Sequence, residues 1–471
     1  MTRHKQHARR LVAALALVLA LSAGCAVGPN YRRPSVNVPT TYRGSVTETP
    51  TPAEAPSLGE QKWSEVFPDE RLQNLVKTAL QQNYDVRIAA TRILQAEAAL
   101  GITRAEQYPT LDSGAEINAQ RTPQGRFSAF NRSQGGLSLS AAWELDFWGK
   151  FRRSTEAARA SLLSSQWARQ EVISTLVADV ASSYFRLREL DLELEISQRT
   201  LSSRQDSLRL IQDLANQGLS NMLDVRQAEQ LVFTAAARIP DIERQIEQDE
   251  NFISTLVGNN PATVPRGRPL TEQPHAPIVP AGLPSSLLER RPDIRQAEEQ
   301  LIAFNARIGV AKAAYFPQIS LTGTGGFQSS ALGGLFAGPA GLWNVAGGLT
   351  QPIFSGGRIR SGVQFAEAQQ QEALLAYQQT IQQAFREVSD ALVAYRKNQE
   401  FRAQQEQLVQ SAQDASQLSD TRYRAGLTSY LEVLTNETNY FSAELGLAQA
   451  RGDELQALVQ VYRALGGGWQ Q

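Results

Sequence analysis

The sequence predicts a mostly α-helical protein with a small β part, built from one structural unit that occurs twice along its 471 residues. Three observations lead to this fold class. They are an internal repeat at a constant offset, two long stretches with apolar residues at every seventh position, and short segments in which apolar and polar residues alternate. With 20% charged and 42% hydrophobic residues, the composition is that of a folded chain with a large core.

The N-terminus has the order of a secretory signal peptide over residues 1–24. Four basic residues and no acid precede an apolar run, which is followed by small residues and by Cys25, the one cysteine of the sequence. An uncleaved anchor is the weaker alternative, because the run is about half of the roughly 20 residues that a membrane-spanning helix needs. Residues 21–25 resemble the lipobox of bacterial lipoproteins, so Cys25 is the expected lipid attachment site, and Ala26 implies sorting to the outer membrane. An ordinary signal peptidase site is the alternative.

The charges and histidines argue against an enzyme and against a nucleic-acid partner. Loss of the four basic residues with the signal changes the formal net charge from −1 to about −5, so no nucleic acid is expected as a partner. His4 and His7 leave with the signal, and His275 stands alone in a proline-rich stretch. A phosphate-binding loop and a Gly-x-Ser-x-Gly motif are both missing from the sequence. We therefore expect no catalytic residues and no metal site.

An internal repeat appears at an offset of 208 residues. Residues 108–111 (YPTL) recur as 316–319 (FPQI), and 149–152 (GKFR) recur as 357–360 (GRIR). Each half is too long for a solenoid repeat, so the chain is a duplicated domain. The expected organisation is a signal peptide at 1–24, a lipidated N-terminal extended segment at 25–70, a first repeat at 71–260, a proline-rich connector at 261–285 and a second repeat at 286–471.

Each half contains a very long helix. Between Phe151 and Gln217 the chain has neither glycine nor proline, and the second half repeats the pattern over 363–425. At about 1.5 Å per residue such a helix reaches roughly 100 Å, and an apolar row along it needs a helical partner. Arg402 interrupts the row in the second half, so the two helices should differ in environment. The row consists of Ile173, Val180, Leu187, Leu194, Leu201 and Leu208 in the first half and of Ile381, Val388 and Tyr395 in the second.

Both long helices end at a glycine, Gly218 or Gly426, and a new helical pattern follows Ser220 or Thr428. Glycine after a helix and a hydroxyl residue before the next are typical of C-caps and N-caps. The sequence therefore predicts two long antiparallel helical hairpins.

The strands are expected after a shorter helical stretch in each half, 72–107 and 292–315. Residues 318–328 and 111–117 alternate between apolar and polar side chains, and a second strand is expected near 137–146 and near 345–354. Strands of about ten alternating residues are typical of membrane β-barrels. Four strands cannot close a barrel, and an open edge in lipid leaves backbone groups unpaired, so the chain needs copies of itself.

This order of elements, given twice, resembles the outer membrane factor family, the TolC and OprM type, and in particular the lipoprotein branch that serves multidrug efflux. The resemblance covers almost the whole mature chain. Its motifs are AVGPNY at 26–31, WELDFWG at 143–149, RRPDI at 290–294, QPIF at 351–354, YRAG at 423–426 and ALGGGW at 464–469.

The resemblance implies a homotrimer whose four strands per chain complete a 12-stranded outer-membrane β-barrel, continued by a long α-helical coiled-coil tunnel in the periplasm. It implies the exit duct of a tripartite efflux pump for drugs or other small molecules, in which the inner-membrane pump supplies the energy, so that this chain needs no cofactor. The partners would be a periplasmic membrane fusion (adaptor) protein, an inner-membrane pump of the resistance-nodulation-division type and the lipid of the outer membrane, to which the chain is anchored. Two alternatives stay open: the duct of a protein secretion system, and a lipid-anchored periplasmic coiled-coil scaffold.

The resemblance also implies site residues. Asp224, Tyr423 and Glu432 match positions of the periplasmic gate, where threefold symmetry would turn each acid into a ring of carboxylates sensitive to cations or pH. An acid in the first turn of a helix also suits the helix dipole in any protein, and a tyrosine on a coiled-coil seam is often simple packing. The adaptor-contacting tips would be Gly218, Leu219, Ser220, Gly426, Leu427 and Thr428.

Overall fold

The computed structural model describes residues 26–43, 57–123, 129–274 and 284–470. The predicted signal peptide and the predicted lipid attachment site, Cys25, lie outside the described residues. Within the described chain most residues are helical and four segments are strands, which confirms the expected fold class of a mostly α-helical, duplicated chain with a small β part.

The elements follow the same order in both halves, and none of the helices among the described residues is long and apolar enough to cross a membrane. The helices are α1 (Trp63–Val66), α2 (Glu70–Gln82), α3 (Tyr84–Ala105), α4 (Lys150–Asn216), α5 (Met222–Leu256), α6 (Pro284–Arg290), α7 (Pro292–Ala313), α8 (Arg358–Arg424) and α9 (Tyr430–Ala464). The strands are β1 (Thr110–Pro123), β2 (Ala129–Glu144), β3 (Gln318–Ser329) and β4 (Gly341–Thr350).

The chain forms two compact units, and both halves of the sequence contribute to each. The first unit takes the N-terminal residues up to Ser35 together with 92–166 and 296–378, and it contains all four described strands. The second unit takes 36–91, 167–295 and the chain from Gln379 onward, and it contains both hairpin turns.

The heptad row of α4 forms the core of the second unit. Val180 and Leu187 are fully buried, and Leu187 belongs to a cluster with Leu190 of the same helix and with Ile242 and Ile253 of α5. Removing one such side chain costs about 2–5 kcal/mol in a well-packed core. The apolar row predicted from the sequence therefore holds α4 against its return helix.

The second hairpin differs from the first where Arg402 interrupts the row. Nε of Arg402 lies 2.5 Å from Oε2 of Glu454, a residue of α9 that is only 1% exposed, and Nη1 donates a hydrogen bond to Glu406 at 2.9 Å. Leu194, the equivalent residue of the first half, packs against the apolar cluster instead. The two long helices thus lie in different environments, as the sequence indicated.

Two helix predictions near the N-terminus need correction. The helix expected over 72–107 is two helices, because the side-chain oxygen of Asn83 accepts the amide hydrogens of Asp85 and the next residue at 2.8 and 3.1 Å. These bonds cap α3 and end α2. Within 25–70, which was expected to be extended, the chain forms the one-turn helix α1 and thereby buries Trp63.

The described part of the proline-rich connector is held by Asp69. Its carboxylate accepts hydrogen bonds from the Tyr184 hydroxyl (2.9 Å), the Arg268 amide (2.9 Å) and the Gln273 side chain (3.0 Å). Burial opposes the charged form, but these hydrogen bonds outweigh it and hold the pKa of Asp69 below its usual value. The connector ends two residues earlier than the expected 285, because Pro284 already occupies the first position of α6.

The four strands form one antiparallel sheet in the order β1-β2-β3-β4. Directly paired residues lie on the same face, and Leu139 pairs with Ser113 on one side and with Gly325 on the other. The registers collect most of the large apolar side chains on one face and most of the polar ones on the opposite face, with Leu342 and Ser113 as exceptions. The apolar face carries Leu111, Ala115, Ile117, Leu137, Leu139, Trp143, Ile319, Leu321, Phe327, Trp343, Val345 and Leu349, and the polar face carries Asp112, Glu116, Ser138, Ser140, Gln318, Ser320, Thr322, Thr324 and Asn344.

Both edges of this sheet are open among the described residues. β1 and β4 each pair with only one other described strand. Their apolar side chains are exposed to solvent: the exposed fraction is 81% for Ile117, 82% for Trp343 and 75% for Val345. β4 ends at Thr350, before the predicted end near residue 354, because Pro352 has no amide hydrogen to donate to a ladder. A sheet with a bare apolar face and two free edges needs both an apolar environment and further strands.

Candidate functional site: the two hairpin turns

The two long helices end in the same kind of turn. Gly218 after α4 has a φ of +75° and Gly426 after α8 has a φ of +73°, which only glycine adopts readily. The amides of Gly218 and Leu219 donate to carbonyl oxygens three and five residues earlier, at 3.0 and 2.8 Å. Those of Gly426 and Leu427 do the same at 2.8 and 2.9 Å. Each turn is a Schellman motif, which caps the helix and reverses the chain.

The return helices begin one residue later than expected. The N-cap of α5 is Asn221 and not Ser220, since the Asn221 side-chain oxygen accepts the amide hydrogen of Asp224 at 2.9 Å. Ser429 and not Thr428 holds the N-cap position of α9, without a side-chain capping bond. The Schellman turn uses the chain up to Ser220 or Thr428, so the next residue is the first that is placed to cap.

Asp224 and Glu432, the predicted gate acids, lie in the first turns of α5 and α9, and each accepts a hydrogen bond from a hydroxyl of its own hairpin turn. Oγ of Ser220 donates to Oδ2 of Asp224 at 2.8 Å, and the Thr428 hydroxyl donates to Glu432 in the equivalent way. Nε of Arg422 lies 3.8 Å from Oε1 of Glu432, with both side chains about half exposed. An ion pair this exposed contributes at most about 1 kcal/mol. The acids are therefore held in position mainly by the two hydroxyls.

Tyr423 and Tyr430 lie against each other behind the second turn. Their ring centroids are 5.4 Å apart with the planes tilted by 56°. Tyr430 is 4% exposed and belongs to a buried cluster with Ile211 of α4, Val225 of α5 and Val433 of α9, against which Tyr423 also packs. This cluster joins the two hairpins to each other just behind their turns.

The surroundings of both tyrosines raise the pKa of the phenol. Burial raises the pKa of Tyr423, a hydrogen bond with Ser220 opposes this, and the negative charge of Asp224 adds to it. Burial likewise raises the pKa of Tyr430, helped by neighbouring acids. Of the three predicted gate residues, Tyr423 and Asp224 thus share one environment, whereas the described contacts of Glu432 are with its own turn and with the end of α8.

The outer surface of the turns is apolar. Leu219 is 72% exposed and Leu427 is 70% exposed, although both are large aliphatic side chains. Met222, Leu223 and Leu431, in the first turns of the return helices, are exposed as well. Clustered exposed apolar side chains are typical of surfaces that contact a partner.

Two charged residues and a tyrosine behind the turns were not among the residues predicted from the sequence. Arg204 of α4 is 3% exposed, Glu437 of α9 is partly buried, and Tyr430 belongs to the cluster that joins the hairpins. A signal for Arg204 exists in the sequence, because it follows Leu201 of the heptad row by three positions and so occupies the second core position of the coiled coil. A charge at such a position indicates a buried polar contact.

The chemistry of this region is that of contact and electrostatics. Across the described residues there is no group of three or more histidine, cysteine, aspartate or glutamate side chains able to hold a metal ion. The turns instead present hydrogen-bonded acids, neutral phenols and exposed leucines.

The duplicated helices, the amphipathic sheet and the two capped turns define the chain as a subunit of an outer-membrane channel. The model of the outer membrane efflux protein family matches residues 75–259 and 283–467. The chain belongs to this family, as the sequence motifs indicated.

Relatives are similar over almost the whole chain. The solvent efflux pump outer membrane protein SrpC of Pseudomonas putida is 38% identical over 463 residues, 96% of this chain and 97% of that protein. Outer membrane protein OprJ of Pseudomonas aeruginosa is 37% identical over 470 residues, 96% of this chain and 95% of its own. The open-state structure of the MtrE outer membrane channel of Neisseria gonorrhoeae matches with a TM-score of 0.84 at 32% identity, covering 95% of this chain and 99% of MtrE. The chain is accordingly an exit duct of an outer-membrane efflux system, which confirms the main functional prediction.

Proposed function

We propose that three copies of this chain form the outer-membrane duct of a tripartite pump that exports drugs or other small molecules. The single observation that carries the proposal is the sheet, with one continuous apolar face and two open edges. Three sheets of four strands joined edge to edge make a closed 12-stranded barrel, which satisfies every backbone group in lipid. The alternative of a water-soluble scaffold does not account for the exposure of Ile117, Trp343 and Val345.

The hairpin turns are the proposed contact with a periplasmic adaptor protein and, through it, with an inner-membrane pump of the resistance-nodulation-division type. Support comes from the exposed side chains of Leu219 and Leu427 and from the relatives, which are named as outer-membrane components of efflux pumps. The six proposed contact residues remain Gly218, Leu219, Ser220, Gly426, Leu427 and Thr428.

Asp224, Tyr423 and Glu432 are the proposed gate. The hydroxyl bonds to the two acids and the packing of Tyr423 against the buried cluster hold these groups at the turns. In a trimer each acid occurs three times around the axis, which makes a ring that attracts cations and repels anions.

Lipid attachment at Cys25 anchors the chain in this proposal. The next residue, Ala26, packs closely on Gly149, because a Cβ added to Gly149 would lie 2.6 Å from the Cβ of Ala26. The Val27 amide donates a hydrogen bond to the Trp148 carbonyl oxygen at 3.0 Å. These contacts hold the start of the described chain against the segment that joins β2 to α4.

Planar-bilayer recording of a Cys25→Ser variant tests the function. If the duct spans the membrane through its strands, the lipid-free variant still requires detergent, has the mass of a trimer by native mass spectrometry and forms channels of small conductance. Asp224→Asn and Glu432→Gln should raise this conductance, whereas Glu195→Gln, which changes an exposed acid of α4, should not. A water-soluble variant without channel activity would support the scaffold instead.

A further inference from the structure

Phe441 of α9 packs against the first hairpin, which consists of α4 and α5. Its side chain is 8% exposed and belongs to a cluster with Ile196 of α4, against which Leu445 of α9 also packs. The guanidinium carbon of Arg204, another residue of α4, lies 4.9 Å from the centre of the Phe441 ring. The second hairpin thus contacts the first through α9, and Phe441 is the aromatic residue at the centre of this contact.

The internal repeat places a second phenylalanine at the equivalent position of the first half. At the offset of 208 residues, Phe441 corresponds to Phe233 of α5, and Leu445 corresponds to Ala237. Phe233 is 68% exposed although it is a large aromatic side chain, and Ala237 is exposed one helical turn later on the same face. α5 therefore carries the same packing residue as α9, but within the described chain that residue is not packed against a hairpin.

The second hairpin has an open groove at the position that corresponds to the contact site of Phe441 on the first. The groove has a volume of about 530 Å³ and is lined by residues of both helices, among them Gln405, Leu408 and Ala412 of α8 and Asn436 and Asn439 of α9. At the same offset, Gln405 and Ala412 correspond to Ser197 and Arg204, which are 0% and 3% exposed in the first hairpin. Alanine in place of the buried arginine leaves room for a ring in this groove.

We propose that α5 of one copy lies in the groove between α8 and α9 of the next copy, with the ring of Phe233 over Ala412. α4 packs against α5 on one side and against α9 on the other, and α9 pairs with α8 through Arg402 and Glu454. The outer helices of the two hairpins are therefore α5 and α8. In a closed ring of identical copies, the two outer surfaces of each copy must fit each other.

The occupant of the groove is a second copy of this chain, because α5 repeats the residue with which α9 already contacts the first hairpin. The inference rests on the proposed trimeric duct. It adds to the pairing of the edge strands a second interface between copies, which lies in the helical part.

The contact within the chain also gives the register between copies. Leu445 packs against the cluster of Ile196, and the equivalents of these two residues are Ala237 of α5 and residue 404 of α8, next to Gln405 in the groove. α5 and α8 are then antiparallel, as α4 and α9 are. Ala237 lies beside Gln405, and Phe233 lies one turn nearer the hairpin turns, beside Leu408 and Ala412.

Cross-linking of cysteines across the two helices tests the docking in outer membranes. Ala237→Cys is combined with Gln405→Cys or with Leu408→Cys in the Cys25→Ser background, so that the ring of Phe233 is kept. After treatment with a short bismaleimide, the products are sized on a denaturing gel and the cross-linked peptides are identified by mass spectrometry. Both pairs should give covalent dimers and trimers of this chain.

A change of the ring tests whether Phe233 holds the contact. Phe233→Asp in the Ala237→Cys and Gln405→Cys variant should lower the cross-linked fraction about tenfold, because a carboxylate then replaces the ring in the groove. The chain itself should still fold, since Phe233 is exposed within it. Phe252→Asp, which changes another exposed phenylalanine of α5, is the control and should leave the fraction unchanged. Equal fractions for both variants would show that the ring does not pack in the groove.

Ala237→Cys with Leu418→Cys is the matched control for the register. Leu418 is exposed on α8 but lies about 20 Å further along the helix than Gln405, so this pair should give monomers. If the Cys25→Ser protein is a conducting trimer and both test pairs give monomers, or cross-link only to other proteins, the docking of α5 is wrong while the duct stands. If the Cys25→Ser protein forms neither trimers nor channels, the proposed function fails and the docking fails with it.

Discussion

Glu189 is a buried acid whose ionisation makes the stability of the protein depend on pH. It lies on α4, is 6% exposed, and lines a polar cavity of about 280 Å³ between α4, α5 and α9. Burial raises the pKa of Glu189 to about 8, with Arg186 opposing the rise and Glu193, Asp453 and Asp249 adding to it. We predict that Glu189→Gln stabilises the protein, and that the gain depends on pH.

The magnitude follows from the difference in proton affinity between the folded and unfolded chain. In the unfolded chain the carboxyl of Glu189 ionises near pH 4.5, whereas in the folded chain it keeps its proton up to about pH 8. Between these pH values the folded state binds more protons than the unfolded state, so the free energy of unfolding falls as the pH rises. At about 1.4 kcal/mol per pH unit, the loss amounts to at most about 5 kcal/mol. Glutamine imitates the protonated acid and keeps an acceptor for the Gln456 side chain, which donates to Glu189 at 3.4 Å. The variant should therefore match the natural chain below pH 4.5 and exceed it most above pH 8.

Thermal unfolding of the detergent-solubilised protein, followed by circular dichroism across this pH range, is the assay. The difference in unfolding temperature between Glu189→Gln and the natural chain should grow from near zero to its full value over the window. Glu195→Gln, an exposed position on the same helix, should show no such growth. A Glu189→Gln difference that is constant with pH, or a loss of stability above pH 8, would refute the reasoning.

Three further predictions concern the turns and the sheet. Gly426→Ala should lower the free energy of unfolding by about 1–2 kcal/mol, because alanine is strained at the φ of +73°. Gly362→Ala, in open space within α8, should raise it by up to about 1 kcal/mol. Denaturant titration of both variants measures the two changes, and equal effects would contradict the prediction. Tyr430→Ala should lower the free energy of unfolding by about 3–5 kcal/mol, since the side chain is only 4% exposed. A variant as stable as the natural chain would show that the cluster is not packed in solution. Val345→Lys, on the apolar face, should lower stability in detergent or lipid by about 2–4 kcal/mol, and Asn344→Lys, on the polar face, should be nearly neutral; the reverse order would place lipid on the wrong side of the sheet.

The long helices and their ends were predictable from the sequence because local chemistry determines them. A heptad row that includes Val180 and Leu187 requires a helical partner, and glycine at 218 and 426 supplies the positive φ that a Schellman turn needs. The alternation of side chains likewise predicted the strands and the face on which Trp343 and Val345 lie.

Other features depend on tertiary contacts and could not be predicted in the same way. Asn83 ends a helix partly because its side-chain amide donates to the Leu256 carbonyl oxygen, 173 residues away, at 3.0 Å. The choice of Asn221 over Ser220 as N-cap depends on how many residues the preceding turn consumes. Burial of Arg204 and Glu189 depends on where α9 packs, and periodicity along α4 does not contain that information.

Disulfide cross-linking between the edge strands tests most directly whether copies of this chain close a barrel. Three double-cysteine variants are made in the Cys25→Ser background. Each combines Ala115→Cys on β1 with one substitution on β4, which is Trp343→Cys, Val345→Cys or Gly347→Cys. Within one chain β1 and β4 are three strand spacings apart, about 14 Å, which is too far for a disulfide, so every bond formed joins two chains. Ala115 paired with Ala346, on the opposite face, is the control. If three chains close the barrel, mild oxidation of outer membranes gives covalent dimers and trimers and nothing larger for at least one pair. Monomers alone for every pair, or a ladder that continues beyond the trimer, would contradict it.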